Sequence, residues 1–236
     1  MNWRNLVIGL AGGLAISALS ILPIQAQTSS PARSEIALSI SPAKSTRQPR
    51  AVERAALEDL TAHYAARRDG RYRLPALDIS AIDPKLLRQR VPYRSEYAPG
   101  TIVIDSASRF LYLIEENGTA LRYAVAVGKP GFSWTGEGQI ARTSKWPSWT
   151  PPGSMIRRQP SLRRWRHGMP GSPKNPLGAR ALYIYFGERD SLYRIHGTNN
   201  PKSIGTAASS GCFRMFNHDV IDLYQRIERG ARVVVM

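Results

Sequence analysis

Short apolar stretches separated by turn residues run through the second half of the chain, a pattern typical of β-strands. Strands are predicted at residues 101–105, 109–115, 120–127, 179–186, 192–195 and 232–236. Residues 217–229 differ, because their apolar side chains recur at helical spacing between Asn217, a predicted N-cap, and Gly230, a predicted C-cap. We therefore predict a mainly β domain, a β-sandwich or open barrel with one late amphipathic helix.

The segment before these strands has a different character. Residues 27–50 are rich in Ser, Ala, Pro and Arg and have no periodicity, which is typical of a flexible linker. Residues 51–68 place apolar side chains at helical spacing and are followed by Gly70, so a helix with a glycine C-cap is predicted. A second, short helix is predicted to start near Pro84. We expect residues 51–98 to form a helical N-terminal extension.

The N-terminus has the organisation of a secretory signal peptide. Arg4 precedes an apolar or small stretch over Leu6–Leu22, and Pro23 and Ala26 then mark a cleavage site. We predict a signal peptide over residues 1–26, cleavage after Ala26 and export to the periplasm. The alternative is an uncleaved signal anchor, since this stretch is near the short limit for crossing a membrane. Membrane contact is expected only through this segment.

A long segment, residues 138–187, contains nine basic and no acidic residues, with seven prolines and three tryptophans. Its proline density predicts that residues 147–176 form a long basic loop without regular structure. Long loops in compact domains are usually functional, and Arg and Trp suit an anionic, partly apolar ligand. The alternatives are a solvated loop and one that binds polyanions without specificity.

Composition narrows the class of protein. The 236 residues are 42% hydrophobic and 21% charged, which excludes a fully disordered chain and a polytopic membrane protein. The only cysteine is Cys212, which excludes an intramolecular disulfide, a cysteine-based zinc cluster and an iron–sulfur site. A net charge of +16 suggests an anionic partner. No nucleic-acid partner is expected, because no nucleic-acid-binding motif accompanies the signal peptide.

The single cysteine and one histidine suggest nucleophilic chemistry. A predicted strand ends at His196, and Cys212 follows after Gly211. A thiol needs a base to become a nucleophile, and imidazole titrates near neutrality. Gly211 leaves backbone N–H groups uncovered for an oxyanion, and Arg214 adds positive charge. The alternative, a small buried apolar cysteine, fits poorly with the polar neighbours.

These residues also resemble a known family. The segments 196–198 (HGT) and 209–215 (SSGCFRM) are similar to the signature of the L,D-transpeptidase catalytic domain, called YkuD or ErfK/YbiS/YcfS/YnhG. The resemblance covers residues 99–236 and includes the segments 99–105, 175–180 and 203–205. This range is the predicted catalytic domain. One departure is Ser210, where many family members have histidine.

The resemblance implies a reaction on peptidoglycan stem peptides outside the cytoplasmic membrane. Cys212 would attack the bond between a diamino acid and terminal D-Ala, and His196 would accept and donate the proton. An amine of a second stem would then attack the thioester, giving a 3→3 cross-link. Ser210, Gly211 and Gly197 would contribute to the oxyanion and substrate-binding site, and Arg214 and the arginines of residues 157–166 would bind carboxylates. No metal or organic cofactor is implied.

The acyl acceptor has several alternatives. It could be a second stem peptide, a free D-amino acid, water, or the amine of an outer-membrane protein that becomes tethered to the wall. A non-catalytic wall-binding protein is a further alternative, although an intact Cys212 and His196 pair favours an enzyme.

Overall fold

The structure of the protein is a computed structural model that describes residues 48–236, with side chains from Glu53 onward. The predicted signal peptide lies outside the described residues, as does the predicted linker except for residues 48–50, which begin the first helix. The described residues belong to one compact unit. Within the described part, no helix has the length and apolar character that crossing a membrane requires.

The described chain contains three α-helices, eleven strands and several short 3₁₀ turns. In chain order the helices and strands are α1 (Gln48–His63), β1 (Arg67–Asp69), β2 (Tyr72–Leu74), β3 (Gln89–Pro92), β4 (Ile102–Asp105), β5 (Phe110–Ile114), β6 (Thr119–Ala124), β7 (Gly136–Lys145), α2 (Gly153–Arg158), β8 (Arg180–Phe186), β9 (Arg189–His196), β10 (Phe213–Arg214), α3 (Asn217–Arg226) and β11 (Arg232–Val235).

Nine of the strands form one mixed sheet in the order β10-β9-β8-β7-β11-β4-β5-β6-β3. The pairs β10–β9 and β11–β4 are parallel and the remaining pairs are antiparallel. Beyond β6 the chain reaches β10, where Ala126 and Arg214 exchange two backbone hydrogen bonds of 2.9 Å. These bonds join β10, at one end of the strand order, to the continuation of β6, which lies next to β3 at the other end. The predicted mainly β fold with one late amphipathic helix is confirmed.

The main core lies between the curved sheet and α3. Branched and aromatic side chains from the strands alternate inward, which is why the strands were recognisable from the sequence. Val220 and Leu223 of α3 complete this core, and both are fully buried. Burial of this apolar surface is the main source of stability for the sheet, and it holds the end of β9 firmly in place.

The N-terminal extension is helical only in part. α1 ends at His63 and not at Arg68, because Tyr64 turns into the core, where its hydroxyl accepts the Arg88 N–H at 2.8 Å. Gly70 is the turn of the β1–β2 hairpin and not a helix C-cap. The predicted short helix is present as a 3₁₀ turn, Pro84–Leu86. β3 then adds an edge strand to the sheet, so the extension packs as part of the compact unit.

The segment predicted as an irregular basic loop contains more order than expected. The wider acid-free segment, residues 138–187, begins in β7, which the sequence did not reveal because only Ile140 of that strand is fully buried. Within residues 147–176 lie α2 and the 3₁₀ helix Pro160–Trp165. Proline is tolerated in the first turn of a helix, where the missing N–H has no intrahelical partner. The prediction of a segment without regular structure was therefore wrong for these residues.

Both predicted caps of α3 differ in the structure. Phe216 is the N-cap residue, and Asn217 lies in the first turn with its side chain directed to other partners. The helix ends at Arg226, with Ile227 as its C-cap. Gly230 follows in a left-handed turn (φ 93°) that leads into β11. The side-chain oxygen of Asn217, Oδ1, accepts the N–H groups of Ala179 and Thr198 and therefore does not cap the helix.

Candidate active site

Parallel pairing of β9 with β10 brings the predicted catalytic residues together. The register aligns Ile195 with Phe213 and His196 with Arg214. Ile195 and Phe213 are buried in the core. Since successive side chains of a strand point to opposite faces, His196, Cys212 and Arg214 share the face away from that core. The fifteen residues between His196 and Cys212 are closed into a loop by this pairing.

His196 is oriented by its own backbone neighbour. Its Nδ1 lies 2.6 Å from the Gly197 carbonyl oxygen, and a carbonyl can only accept a hydrogen bond. Nδ1 therefore carries the proton, and Nε2 is left unprotonated as a base. Burial lowers the pKa of His196 to about 4. The imidazole is neutral at pH 7 and ready to accept a proton.

The Cys212 thiol is half-buried directly before β10, with Sγ 3.8 Å from the Leu192 carbonyl oxygen. Burial raises the pKa of the thiol, although the nearby Arg194 backbone N–H and guanidinium and the Arg214 guanidinium oppose this effect. A raised thiol pKa beside a lowered imidazole pKa favours the neutral pair at rest. Thiol deprotonation is therefore expected to accompany attack on a substrate.

The loop before Cys212 requires glycine at position 211. Gly211 has φ 121°, and a Cβ there would lie 3.1 Å from the Tyr193 ring. The Gly211 N–H donates to Ser209 Oγ at 3.0 Å, and Ser209 Oγ donates to the Cys212 carbonyl at 2.5 Å. Within residues 48–236, the Cys212 N–H has no hydrogen-bond acceptor. This N–H is free to point at an oxyanion, while the Gly211 N–H is already engaged.

Gly197 and Asn217 explain why the end of β9 is rigid. Asn217 Oδ1 accepts the N–H groups of Ala179 and Thr198, and its Nδ2 donates to the Thr198 carbonyl. A Cβ on Gly197 would lie 2.1 Å from that same Oδ1. The structure thus gives Gly197 a packing role beside His196, and its predicted part in oxyanion or substrate binding stays a prediction.

Arg214 and Ser210 occupy different environments. The Arg214 backbone is fixed by Ala126, while its half-buried guanidinium has no hydrogen-bond or ion-pair partner among the described side chains. Burial lowers the pKa of this guanidinium, which still leaves it a cation at neutral pH. Ser210 is exposed at the mouth of the loop. An unpaired cation beside a thiol suits a substrate carboxylate.

The basic loop is fastened by Asn175 and by the N-terminal hairpin. The fully buried Asn175 donates through Nδ2 to the carbonyls of Pro147, Met169 and Pro170. From the hairpin, Tyr72 donates to the Gly171 carbonyl and Asp69 accepts from Trp146. The loop is therefore held in one conformation, and its arginines at positions 157, 158, 163, 164 and 166 form no ion pair with a described carboxylate.

Aromatic residues next to the thiol were missed by the sequence analysis. Trp134 stacks on Tyr193 with ring centroids 5.3 Å apart, and it also contacts Phe186. Phe132 and Leu192 are large apolar residues that are exposed, with 49% and 75% of their surfaces accessible. No local periodicity marks these residues, because they come from different strands and loops. In the described part of the chain, no three His, Cys, Asp or Glu side chains are grouped as metal ligands.

The sequence is similar to proteins of one family. A family model described as the L,D-transpeptidase catalytic domain, YkuD, matches residues 99–235. The "Putative L,D-transpeptidase YqjB" of Bacillus subtilis is 35% identical over 135 residues, which are 57% of this chain and 69% of that protein. The "Probable L,D-transpeptidase YbiS" of Escherichia coli K12 is 33% identical over 138 residues, 56% of this chain and 43% of that protein.

Two solved structures are also similar. A protein of Brucella melitensis, described as a probable carnitine operon oxidoreductase, is 49% identical, with 67% of this chain and 99% of that chain covered and a TM-score of 0.46. A mutant L,D-transpeptidase of Enterococcus faecium is 14% identical, with 59% and 50% covered and a TM-score of 0.45. The family match rests on the sequence.

Proposed function

Because this chain belongs to the L,D-transpeptidase catalytic domain family and is an enzyme of that class, we propose that it cross-links peptidoglycan through an acyl-thioester on Cys212. The observation that carries the proposal is the β9–β10 register, which places an unprotonated imidazole nitrogen and the only thiol of the chain on one face. A thiol directly before β10 and an imidazole at the end of the adjacent β9 fit the pairing of nucleophile and base that covalent acyl transfer uses.

The first half-reaction forms the thioester. Cys212 Sγ attacks the carbonyl carbon of the L,D bond between the third-position diamino acid and terminal D-Ala, while the thiol proton passes to Nε2 of His196. The carbonyl oxygen becomes an oxyanion that the Cys212 N–H stabilises. The C–N bond then breaks, the proton moves from Nε2 to the amine of D-Ala, and the acyl group stays on sulfur.

The second half-reaction releases the enzyme. The side-chain amine of a diamino acid on another stem attacks the thioester, and His196 accepts the proton that this amine loses. As the C–S bond breaks, the proton returns to the Cys212 sulfur and a 3→3 amide remains. The free Arg214 guanidinium supports binding of a stem carboxylate beside the thiol.

The test uses purified protein and disaccharide tetrapeptides, with products read by mass spectrometry. We expect wild-type protein to form 3→3 dimers and release D-Ala, and Cys212→Ala to form neither while melting at the wild-type temperature. Dimers made by Cys212→Ala would refute the thioester. Release of D-Ala by wild-type protein without dimers would indicate hydrolysis in place of transfer.

The acyl acceptor and the site of action are tested in cells. We propose export through residues 1–26, so the mature periplasmic protein is expected to begin at Gln27 on N-terminal sequencing. Muropeptides from cells with and without the gene identify the acceptor. Loss of 3→3 dimers supports cross-linking, whereas loss of protein-modified muropeptides with dimers intact supports tethering of an outer-membrane protein.

A further inference from the structure

A second cation lies next to the thiol, in a position that the sequence did not single out. Arg194 precedes His196 by two residues on β9, so both side chains lie on the same face of the strand. The pairing of Ile195 with Phe213 sets Arg194 level with Cys212 on the neighbouring chain segment. The thiol therefore lies level with the Arg194 position of β9, and His196 follows two residues further along the same face of that strand.

Arg194 is held in this position by several contacts. Its two terminal nitrogens donate to the two Asp190 carboxylate oxygens at 2.7 and 2.9 Å, and one of them also donates to the Tyr193 carbonyl. The guanidinium carbon lies 4.5 Å from the centroid of the Tyr183 ring. Only 15% of the side chain is exposed. A bidentate pair packed on an aromatic ring restricts the guanidinium to one orientation.

The same carboxylate fixes a second group that approaches the thiol. Asp190 Oδ1 accepts the Leu192 N–H at 2.9 Å. Leu192 has φ 65°, a left-handed conformation that is strained for a residue with a branched side chain. This conformation directs the Leu192 carbonyl to within 3.8 Å of Cys212 Sγ. Asp190 thus anchors both the cation and the carbonyl beside the sulfur.

We propose that Arg194, anchored by Asp190, is a positioning residue for the Cys212 thiol and places a fixed cation that stabilises the thiolate as its proton leaves. This inference rests on the proposed function of Cys212 as nucleophile. The charged and titratable groups around the sulfur are Arg194, its partner Asp190 and His196 from β9, and Arg214 from β10. From β7, the guanidinium carbon of Arg142 also packs on the Tyr183 ring, 3.4 Å from its centroid.

The test measures the pH dependence of Cys212 alkylation by iodoacetamide in the full mature chain without substrate. In Arg194→Gln we expect the midpoint of the alkylation profile to rise by about one pH unit. This is the lower end of the pKa change that an adjacent opposite charge produces. The rate at pH 7 is then about tenfold lower. Arg194→Lys keeps the charge and is expected to retain most of the wild-type midpoint. Arg189→Gln, an exposed arginine of the same strand, is the matched control and is expected to leave the midpoint unchanged.

An unchanged midpoint in Arg194→Gln would overturn the proposal. A rise in Arg194→Lys equal to that in Arg194→Gln would also overturn it, because the effect would then not depend on the charge at position 194. If Arg194→Gln does not fold, the double variant Asp190→Asn/Arg194→Gln is measured in its place. Its midpoint is expected to rise by less, because loss of the Asp190 anion offsets part of the loss of the cation, and a midpoint at or below the wild-type value would overturn the proposal. Alkylation needs no substrate, so failure of wild-type protein to make 3→3 dimers would refute the proposed function and leave this measurement valid.

Discussion

Nε2 of His63 lies 2.8 Å from Oδ1 of Asp219, and their side chains are only 7% and 0% exposed. His63 is the last residue of α1, and Asp219 lies in the first turn of α3. A buried bond thus ties the N-terminal extension to the helix that follows the Cys212 strand. The extension is therefore expected to contribute to the stability of the catalytic region.

His63→Ala is expected to destabilise the protein by about 3 kcal/mol, because it leaves the fully buried Asp219 carboxyl without its partner. Urea unfolding at pH 7 measures the change. Arg54→Ala is the control, since it breaks an exposed pair with Glu58 and is expected to cost less than about 0.5 kcal/mol. Equal losses in the two variants would show that the buried bond contributes little.

The hairpin of the extension is expected to make stability depend on acid pH. Asp69 binds the buried Arg180 through two hydrogen bonds of 2.6 and 2.7 Å. Hydrogen bonds from Arg180 hold the pKa of Asp69 below its ordinary value of 3.8. A depressed carboxyl pKa contributes stability that is present above about pH 4 and is lost as pH falls through the lower folded value.

Asp69→Asn is therefore expected to lose about 3 kcal/mol at pH 7, since Arg180 stays buried without an anion. The difference in unfolding free energy between Asp69→Asn and wild-type protein is expected to become smaller as the pH falls below about 4. Unfolding free energies between pH 2 and 7 test this. Glu137→Gln removes an exposed partner of Arg232 and is expected to have little effect at any pH. A constant gap across the range would exclude titration of Asp69 as its source.

The buried imidazole predicts an unusual pH profile for catalysis. Because burial lowers the pKa of His196 to about 4, the base stays unprotonated across neutral pH. We expect kcat/KM to fall as the pH drops through about 4, with no break near 6.5 that belongs to this group. His196→Ala is expected to lower kcat by about a thousandfold. A break near 6.5 that disappears in His196→Ala would contradict the buried, neutral base.

Gly197 is predicted to be irreplaceable by alanine. A Cβ there would lie 2.1 Å from Asn217 Oδ1, so Gly197→Ala is expected to destabilise by about 3 kcal/mol and to displace His196. Gly153→Ala in α2 is the matched control, because its nearest neighbour is 3.8 Å away and alanine favours a helix. Thermal unfolding and kcat are compared in both. A Gly197→Ala protein with wild-type melting would mean that Asn217 can move aside at little cost.

The strands that carry apolar runs and the final helix could be predicted from the sequence. Their side chains repeat with the period of the element that they form, and β4, β5 and β8 were placed within one residue at each end. β7 could not be found in this way, because its side chains do not repeat with the period of a strand. It is stabilised by backbone pairing with its neighbours β8 and β11. The same holds for the β1–β2 hairpin, which is stabilised by Trp146 and Arg180 from distant segments.

By itself the sequence determined the candidate reactive groups: one thiol, a histidine at the end of a strand, and glycines around them. These groups can be recognised from residue types and from short spacings along the chain. The tertiary structure alone decided the proton on Nδ1 of His196, the engagement of the Gly211 N–H and the position of Arg194 beside Cys212. Each of these depends on burial or on pairing between segments far apart in the chain, and neither leaves a local pattern in the sequence.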